Sequence, residues 1–211
     1  MVPYVCLNIK ASKMKILHLI SSPRGEASFS IKLGNAIVGK LQAANADSTV
    51  NVHSLVKAPF PHLEESHLNS FFTPVESRTS EMLEAVKHSD QAIAELQDAD
   101  AIVIGVPMYN FSIHSTLKAW IDHIARAGIT FRYTENGPEG LVKGKKVYLA
   151  ISTGGIYSEG AMKSYDFTEP YLRAVLGFLG MTDITAYRVE GVNMPQYKDN
   201  ALEKGISSIE I

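Results

Sequence analysis

The sequence predicts a doubly wound α/β fold, one sheet of five parallel strands with helices on both faces. Three observations predict it. Short, mostly apolar runs of strand length recur along the chain, segments with helical spacing lie between them, and the loops after several of them are rich in Ser, Pro and Gly. Strands alternating with helices in this way need right-handed crossovers, which build a parallel sheet covered on both sides.

Each element follows from its own pattern. Residues 15–20, Lys-Ile-Leu-His-Leu-Ile, end at Ser21-Ser22-Pro23 and read as a buried first strand. Leu33, Ile37, Val38 and Leu41 then mark one face of a helix. Residues 48–55 alternate weakly through Val50, Val52 and Leu55, as a strand nearer a sheet edge does. Residues 56–73 mix Pro59, Pro61, three aromatics and several charges without a period, so an excursion over the surface is expected. From Pro74, which suits a first helical turn, Val75, Met82, Ala85, Val86, Ile93 and Leu96 support one long helix or two joined ones. Residues 101–106, Ala-Ile-Val-Ile-Gly-Val, are the clearest buried run and predict a central strand stopped by Pro107. Leu117, Trp120, Ile121 and Ile124 share the face of the next helix, which ends near Gly128. Residues 131–140 form an insertion with a turn at Asn136-Gly137-Pro138. Residues 147–152 and 184–189 are the fourth and fifth strands, residues 170–179 the helix between them, and residues 201–211 a short terminal helix.

The bulk numbers bound the function. With 211 residues, 45% of them hydrophobic, the chain can bury one full core, so a single domain over residues 14–211 is expected. Residues 1–13 precede Met14 and the first strand as an extension, expected to be peripheral or disordered. A formal charge of -2 from 20 basic and 22 acidic residues provides no field to collect nucleic acid or anionic membrane. Cys6 stands alone, no Cys/His spacing marks a metal site, and no apolar run reaches the roughly 18 residues of a membrane span. A soluble, cytoplasmic protein is expected.

In such a sheet, ligands bind beyond the carboxyl ends of the strands, beside the point where strand order reverses. Three loops fall there. The first, residues 21–30, leads with Ser22, Ser28, Phe29 and Ser30 into a helix N-terminus. It fits either a phosphate cradle or a Ser-rich capping loop, and it lacks both the GxGxxG and the Walker patterns. The second holds Met108, Tyr109, Asn110 and Phe111, an apolar and aromatic set beside one carboxamide. It suits an isoalloxazine ring, or packing under a loop. The third, Ser152, Thr153, Gly154 and Gly155, lets backbone N–H groups approach a ligand, or forms a plain Gly-Gly turn. Together they converge on one ligand, with a phosphate at the first loop and a flat ring between the other two.

These motifs resemble a known family. Residues 15–20 with Ser22, residues 28–30, residues 101–111, the run Ala-Arg-Ala-Gly-Ile-Thr-Phe-Arg-Tyr-Thr-Glu-Asn-Gly-Pro-Glu-Gly-Leu at 125–141, and Gly177 to Gly180 with Thr182-Asp183 are similar to the bacterial FMN-dependent NADH-azoreductase and NADH:quinone oxidoreductase family. The resemblance implies a flavodoxin-like sheet of order 2-1-3-4-5, and a homodimer with FMN near the subunit interface. FMN contacts would fall on the Ser, Met108–Phe111 and Ser152–Gly155 positions above. It also implies two-electron, ping-pong hydride transfer from NADH or NADPH to quinone, azo or nitroaromatic acceptors. The flavin would do the chemistry, so no acid/base triad is expected. Tyr133 and Phe178 match aromatic positions of the family's acceptor pocket, and Tyr157 is a possible donor beside it. Thr153 stands where the family usually has Arg.

Other readings have less support. A flavodoxin-type electron carrier would show an acidic docking surface and have no use for the insertion at 131–141. A serine hydrolase would need a GxSxG elbow at Ser21 or Ser152, and neither has one. Among the histidines, His18 reads as a core residue, His114 as a weak site candidate and His123 as surface or interface. His53, His62, His67 and His88 point to no role.

Overall fold

The computed structural model describes residues 13–211. The expected extension falls almost wholly outside the described residues. The elements run β1 Lys15–Ile20, α1 Phe29–Ala44, β2 Thr49–Ser54, α2 Glu65–Phe72, α3 Ser80–Asp98, β3 Ala101–Pro107, α4 Ser115–Ile124, β4 Phe131–Thr134, β5 Gly137–Gly140, β6 Lys146–Ser152, α5 Glu169–Phe178, β7 Asp183–Val189 and α6 Ala201–Ser207. Five strands form one parallel sheet in the order β2-β1-β3-β6-β7. The two remaining strands, β4 and β5, pair antiparallel as a separate ribbon within the insertion.

Alternation along the strands divides the core in two. On β3, Ile102, Ile104 and Val106 pack with α3, α4 and α5, while Ala101 and Val103 face α1. β6 repeats the split, Leu149 and Ile151 toward the first cluster and Tyr148 and Ala150 toward the second. A period of two places successive side chains on opposite faces, so a strand covered on both sides must be apolar throughout. All seven residues of β3 are buried. β2 lies at the sheet edge, and its Val52 is 56% exposed. The helix-face expectation for Leu117, Trp120, Ile121 and Ile124 holds, since all four are buried.

One segment carries more structure than its sequence pattern indicates. Residues 56–73, expected as a surface excursion, contain α2, whose first turn is closed by the Glu64 N–H donating to His67 Nδ1 at 3.0 Å. Tertiary docking builds that helix, for residues before it fold back over α4. Phe60 packs among His53, His88 and His123, and Phe71 lies under the Arg126 guanidinium, 4.7 Å from ring centroid to Cζ. His123, expected at the surface or an interface, is fully buried, and its Nε2–H donates to the Pro61 carbonyl at 3.0 Å. The covering segment has no period of its own, so nothing local announces that it shields α4. The stretch from Pro74 forms a short 3-10 turn, Val75–Ser77, and then α3.

His18 is a core residue, 2% exposed beside Gly34 of α1, and its Nε2 has no hydrogen-bond partner among the described residues. Burial lowers its pKa to about 4. The unfolded chain therefore takes the proton first, and stability falls as pH drops from about 6.5 toward the folded value, then levels off. Between pH 7 and pH 5 this group alone costs roughly 2 kcal/mol, given a folded pKa of about 4. Urea unfolding of His18→Leu is expected to lack that component. Equal pH slopes for the variant and the parent would show that His18 does not titrate this way.

Candidate functional site

The carboxyl ends of β1, β3 and β6 bring the three predicted loops together. A cleft of about 250 Å³ is lined by Ser22, Ser28 and Phe29 from the first loop, Met108 and Tyr109 from the second, and Ser152, Thr153 and Gly154 from the third. On the other side of Tyr109 lies a second, open cleft of about 670 Å³, whose walls include Asn110, His114, Lys118 and Tyr171.

At the first loop, Ser28 caps α1, its Oγ accepting from the Ile31 N–H at 3.4 Å and lying 3.0 Å from Ser30 Oγ. Ser28 and Ser30 are both buried. The first-turn amides of a helix have no carbonyl four residues back to bond, and the helix dipole adds partial positive charge there. Hydroxyls and free amides at the head of a 16-residue helix are the donor set of an anion cradle.

The second loop is a tight reversal. Tyr109 and Ser112 exchange backbone hydrogen bonds of 2.9 and 3.0 Å, and both residues between them have positive φ, 48° at Asn110 and 70° at Phe111. That conformation is unusual for any residue with a Cβ and costs most for a bulky one, so it persists only where the surroundings enforce it. Here the Phe111 carbonyl is held by the Phe167 N–H at 3.0 Å. Asn110 reaches the larger cleft, while the Phe111 ring, 41% exposed, lies outside both, near Tyr157 and Tyr165.

The third loop offers backbone. Thr153 is 2% exposed and its hydroxyl donates to the Gly155 carbonyl at 2.7 Å, so the side chain that replaces the family's Arg turns inward and closes the loop. A Cβ on Gly154 would stand 2.7 Å from Asn193 Nδ2, which leaves the cleft floor open only to glycine unless Asn193 moves. Gly155 accepts from the Gly191 N–H and lines neither cleft.

The residues present fit a phosphorylated flat cofactor. A cradle of buried hydroxyls and helix amides lies at one end, Met108 and Tyr109 lie alongside, and a glycine without side-chain obstruction faces them. Among the described residues, no three His, Cys, Asp or Glu side chains gather as a metal site. No described helix is long and apolar enough to cross a membrane.

Of the other sequence candidates, His114 stays at the larger cleft and two aromatics fall elsewhere. His114 caps α4, its Nδ1 accepting from the Thr116 N–H, and its ring meets Tyr109 edge-on at 5.4 Å; burial lowers its pKa. Tyr133 and Phe178 both pack on Phe131, with ring centroids 5.7 and 4.5 Å away, and neither lines these clefts. The ribbon bearing Tyr133, and Phe178 at the end of α5, sit where β6 and β7 begin, the Val142 N–H donating to the Leu179 carbonyl at 2.9 Å. That is the end of the sheet opposite the clefts. Asn193, Val192 and Arg24, which complete the smaller cleft, were not singled out from sequence. Position after the fifth strand was the only signal available for Asn193.

Fold and clefts together define a ligand-binding α/β protein of the flavodoxin type. A family model described as flavodoxin-like fold matches residues 14–210. The chain is 48% identical over 198 residues to an FMN-dependent NADH:quinone oxidoreductase of Mesorhizobium japonicum, covering 93% of this chain and 94% of that one. It is 52% identical over 180 residues to a protein of the same name from Herminiimonas arsenicoxydans, covering 85% and 88%. Among solved structures it is similar to an azoreductase from Bacillus anthracis str. Sterne, with a TM-score of 0.84, 32% identity and coverage of 92% and 95%. A second, an FMN-dependent NADH-azoreductase from Bacillus anthracis str. Ames Ancestor in complex with FMN, gives a TM-score of 0.81, 25% identity and coverage of 92% and 97%. The chain belongs to this flavodoxin-like family.

Proposed function

We propose that this protein is an FMN-dependent NAD(P)H oxidoreductase that reduces quinones and azo compounds. The observation that carries the reading is the meeting of three loops in one cleft, with anion donors at one end and an apolar, aromatic wall at the other. Relatives near 50% identity that bear the name FMN-dependent NADH:quinone oxidoreductase support the same chemistry. The balanced charge and these relatives leave the electron-carrier alternative with weaker support.

FMN would supply reversible two-electron transfer. The chain would do the rest. Ser22, Ser28 and Ser30, with the first amides of α1, would hold the phosphate; Phe29 would wall the cleft beside them. Met108 and Tyr109 would flank the ring, with Asn110 on the larger cleft and the Phe111 turn behind them, and the Ser152–Gly155 loop would face its polar edge through the Gly154 backbone, the Thr153 amide being held by the Val189 carbonyl. The protein orients donor and acceptor and excludes water, with no side chain required to carry a proton.

We also read the protein as a homodimer working in the cytoplasm, with residues 14–211 as the FMN-binding domain. Tyr133 is 75% exposed on a ribbon at the wrong end of the sheet to touch its own cleft. A second copy packed antiparallel would bring Tyr133 and Phe178 of each subunit to the cleft of the other, where Tyr157 would join them as the acceptor pocket.

The test is spectroscopic. Purified protein is expected to show the paired bands of bound flavin, lose them on anaerobic addition of NADH, and regain them when 1,4-naphthoquinone is added. A protein that takes up no FMN, or whose colour NADH does not bleach, overturns the proposal.

A further inference from the structure

Resting on that reading, we propose that Arg188 is a positioning residue for the electron acceptor: its ion network holds the segment bearing Tyr157 and Tyr165 against the Phe111 turn, and this sets a preference for flat aromatic acceptors. Arg188 lies on β7, the sheet edge, with its side chain 16% exposed. Its Nη2 bonds Asp166 Oδ2 and Glu169 Oε2, each at 2.5 Å, and Nη1 lies 3.5 Å from Glu190 Oε1. Two of these carboxylates hold different parts of the segment between β6 and α5, and the third, Glu169, lies in the first turn of α5. Glu190 Oε1 accepts from the Tyr157 and Ser158 N–H groups at 2.8 and 3.0 Å, and Asp166 Oδ1 accepts from the Thr168 N–H at 2.8 Å. One guanidinium therefore ties both ends of residues 157–168 to the sheet.

That segment carries an aromatic wall. The Phe111 ring stands 6.3 Å from Tyr157 and 5.5 Å from Tyr165, and the Phe167 N–H holds the Phe111 carbonyl. Phe111, Tyr165 and Phe167 are 41%, 49% and 56% exposed, so these aromatic side chains are accessible to a ligand. The wall is joined to both clefts along the chain: Asn110, next to Phe111, lines the larger one, and Gly154 of the smaller one lies three residues before Tyr157. Aromatic faces at these separations receive a planar ring by stacking or edge contact. The positive φ of Phe111 gives the arrangement its sensitivity, for the turn is held by contacts from outside itself.

Removing Arg188 would leave Asp166, Glu169 and Glu190 converging with only Arg173 on Glu169 as compensation. Carboxylates stripped of their partner repel, and the segment from 157 to 168, which carries the buried Asp166 and is bonded by Glu190, is the part free to move. A lysine supplies one charge but not the planar fork that reaches three carboxylates, so it would restore the wall only in part.

Arg188→Met, Arg188→Lys and Glu190→Ala test this, the last cutting the anchors at residues 157 and 158 together with the longest of the Arg188 contacts while leaving Asp166 and Glu169 paired. In Arg188→Met and Glu190→Ala, KM for 1,4-naphthoquinone is expected to rise about tenfold with kcat little changed, while reduction of hexacyanoferrate(III), which needs no aromatic wall, stays within twofold. Arg188→Lys should lie between. FMN affinity should stay within twofold. On the protein without added cofactor, trypsin should cut after Lys163 at least fivefold faster in both severing variants. An unchanged KM, equal losses with both acceptors, or unaltered cleavage after Lys163 overturns the positioning role. A parent protein that binds no FMN instead overturns the function on which the acceptor preference rests, and the cleavage rates still report the Arg188 linkage by themselves.

Discussion

Ser28→Asp is expected to empty the FMN site without unfolding the protein. Ser28 is both the cap of α1 and a wall of the smaller cleft, and aspartate does one of these jobs as well as serine while defeating the other. As a cap, its carboxylate accepts from the helix amides, and negative charge at a helix N-terminus is favourable. As a phosphate neighbour, it places like charges at close range. At about 4 Å and an effective dielectric constant near 20, two unit charges repel by roughly 4 kcal/mol, and each 1.4 kcal/mol is about tenfold in affinity. FMN affinity, read by quenching of free flavin fluorescence, should fall about a hundredfold or more. The urea midpoint of the protein without FMN should move little. Full FMN affinity in Ser28→Asp would remove the phosphate from this loop.

Gly140→Ala should have the largest effect on stability. A Cβ there would stand 2.1 Å from the Gly180 nitrogen and 2.4 Å from the Gly180 Cα and the Leu179 carbonyl carbon. These are backbone atoms, so no rotamer relieves the overlap, and the ribbon must lift away from the turn between α5 and β7. Overpacking of this kind costs about 3 kcal/mol or more. The bond from the Val142 N–H to the Leu179 carbonyl and the contact of Phe131 on Phe178 go with it. Because that ribbon presents Tyr133, the variant should also lose acceptor affinity if the proposed dimer forms. Gly39→Ala is the control, a helical glycine with open space around it, and should gain roughly 0.5 to 1 kcal/mol. A Gly140→Ala protein as stable as its parent would show that the ribbon is not packed against Gly180 as described.

The legible parts of the molecule were those whose physics is local or periodic. The runs at β1, β3 and β6 could be read because a strand buried on both faces must be apolar throughout, and the stripe on α4 because one face of a helix repeats at a fixed spacing. The three loops could be placed because a parallel sheet puts its ligand at the carboxyl ends of its strands. α2 could not be read, since its helix depends on docking over α4, and neither could the burial of His123 beneath the segment before it.

By itself, then, the sequence determined the sheet, the helices that cover it, and which loops could meet a phosphate and a flat ring, for each of these rests on composition and period along the chain. Only the tertiary structure decided that Thr153 turns inward, that Asn193 completes the cleft, that Tyr133 and Phe178 lie away from it, and that Arg188 gathers three carboxylates from residues 166, 169 and 190. These are contacts between segments distant in sequence or directions of single side chains. They are set by how the layers pack, and no repeat along the chain encodes them.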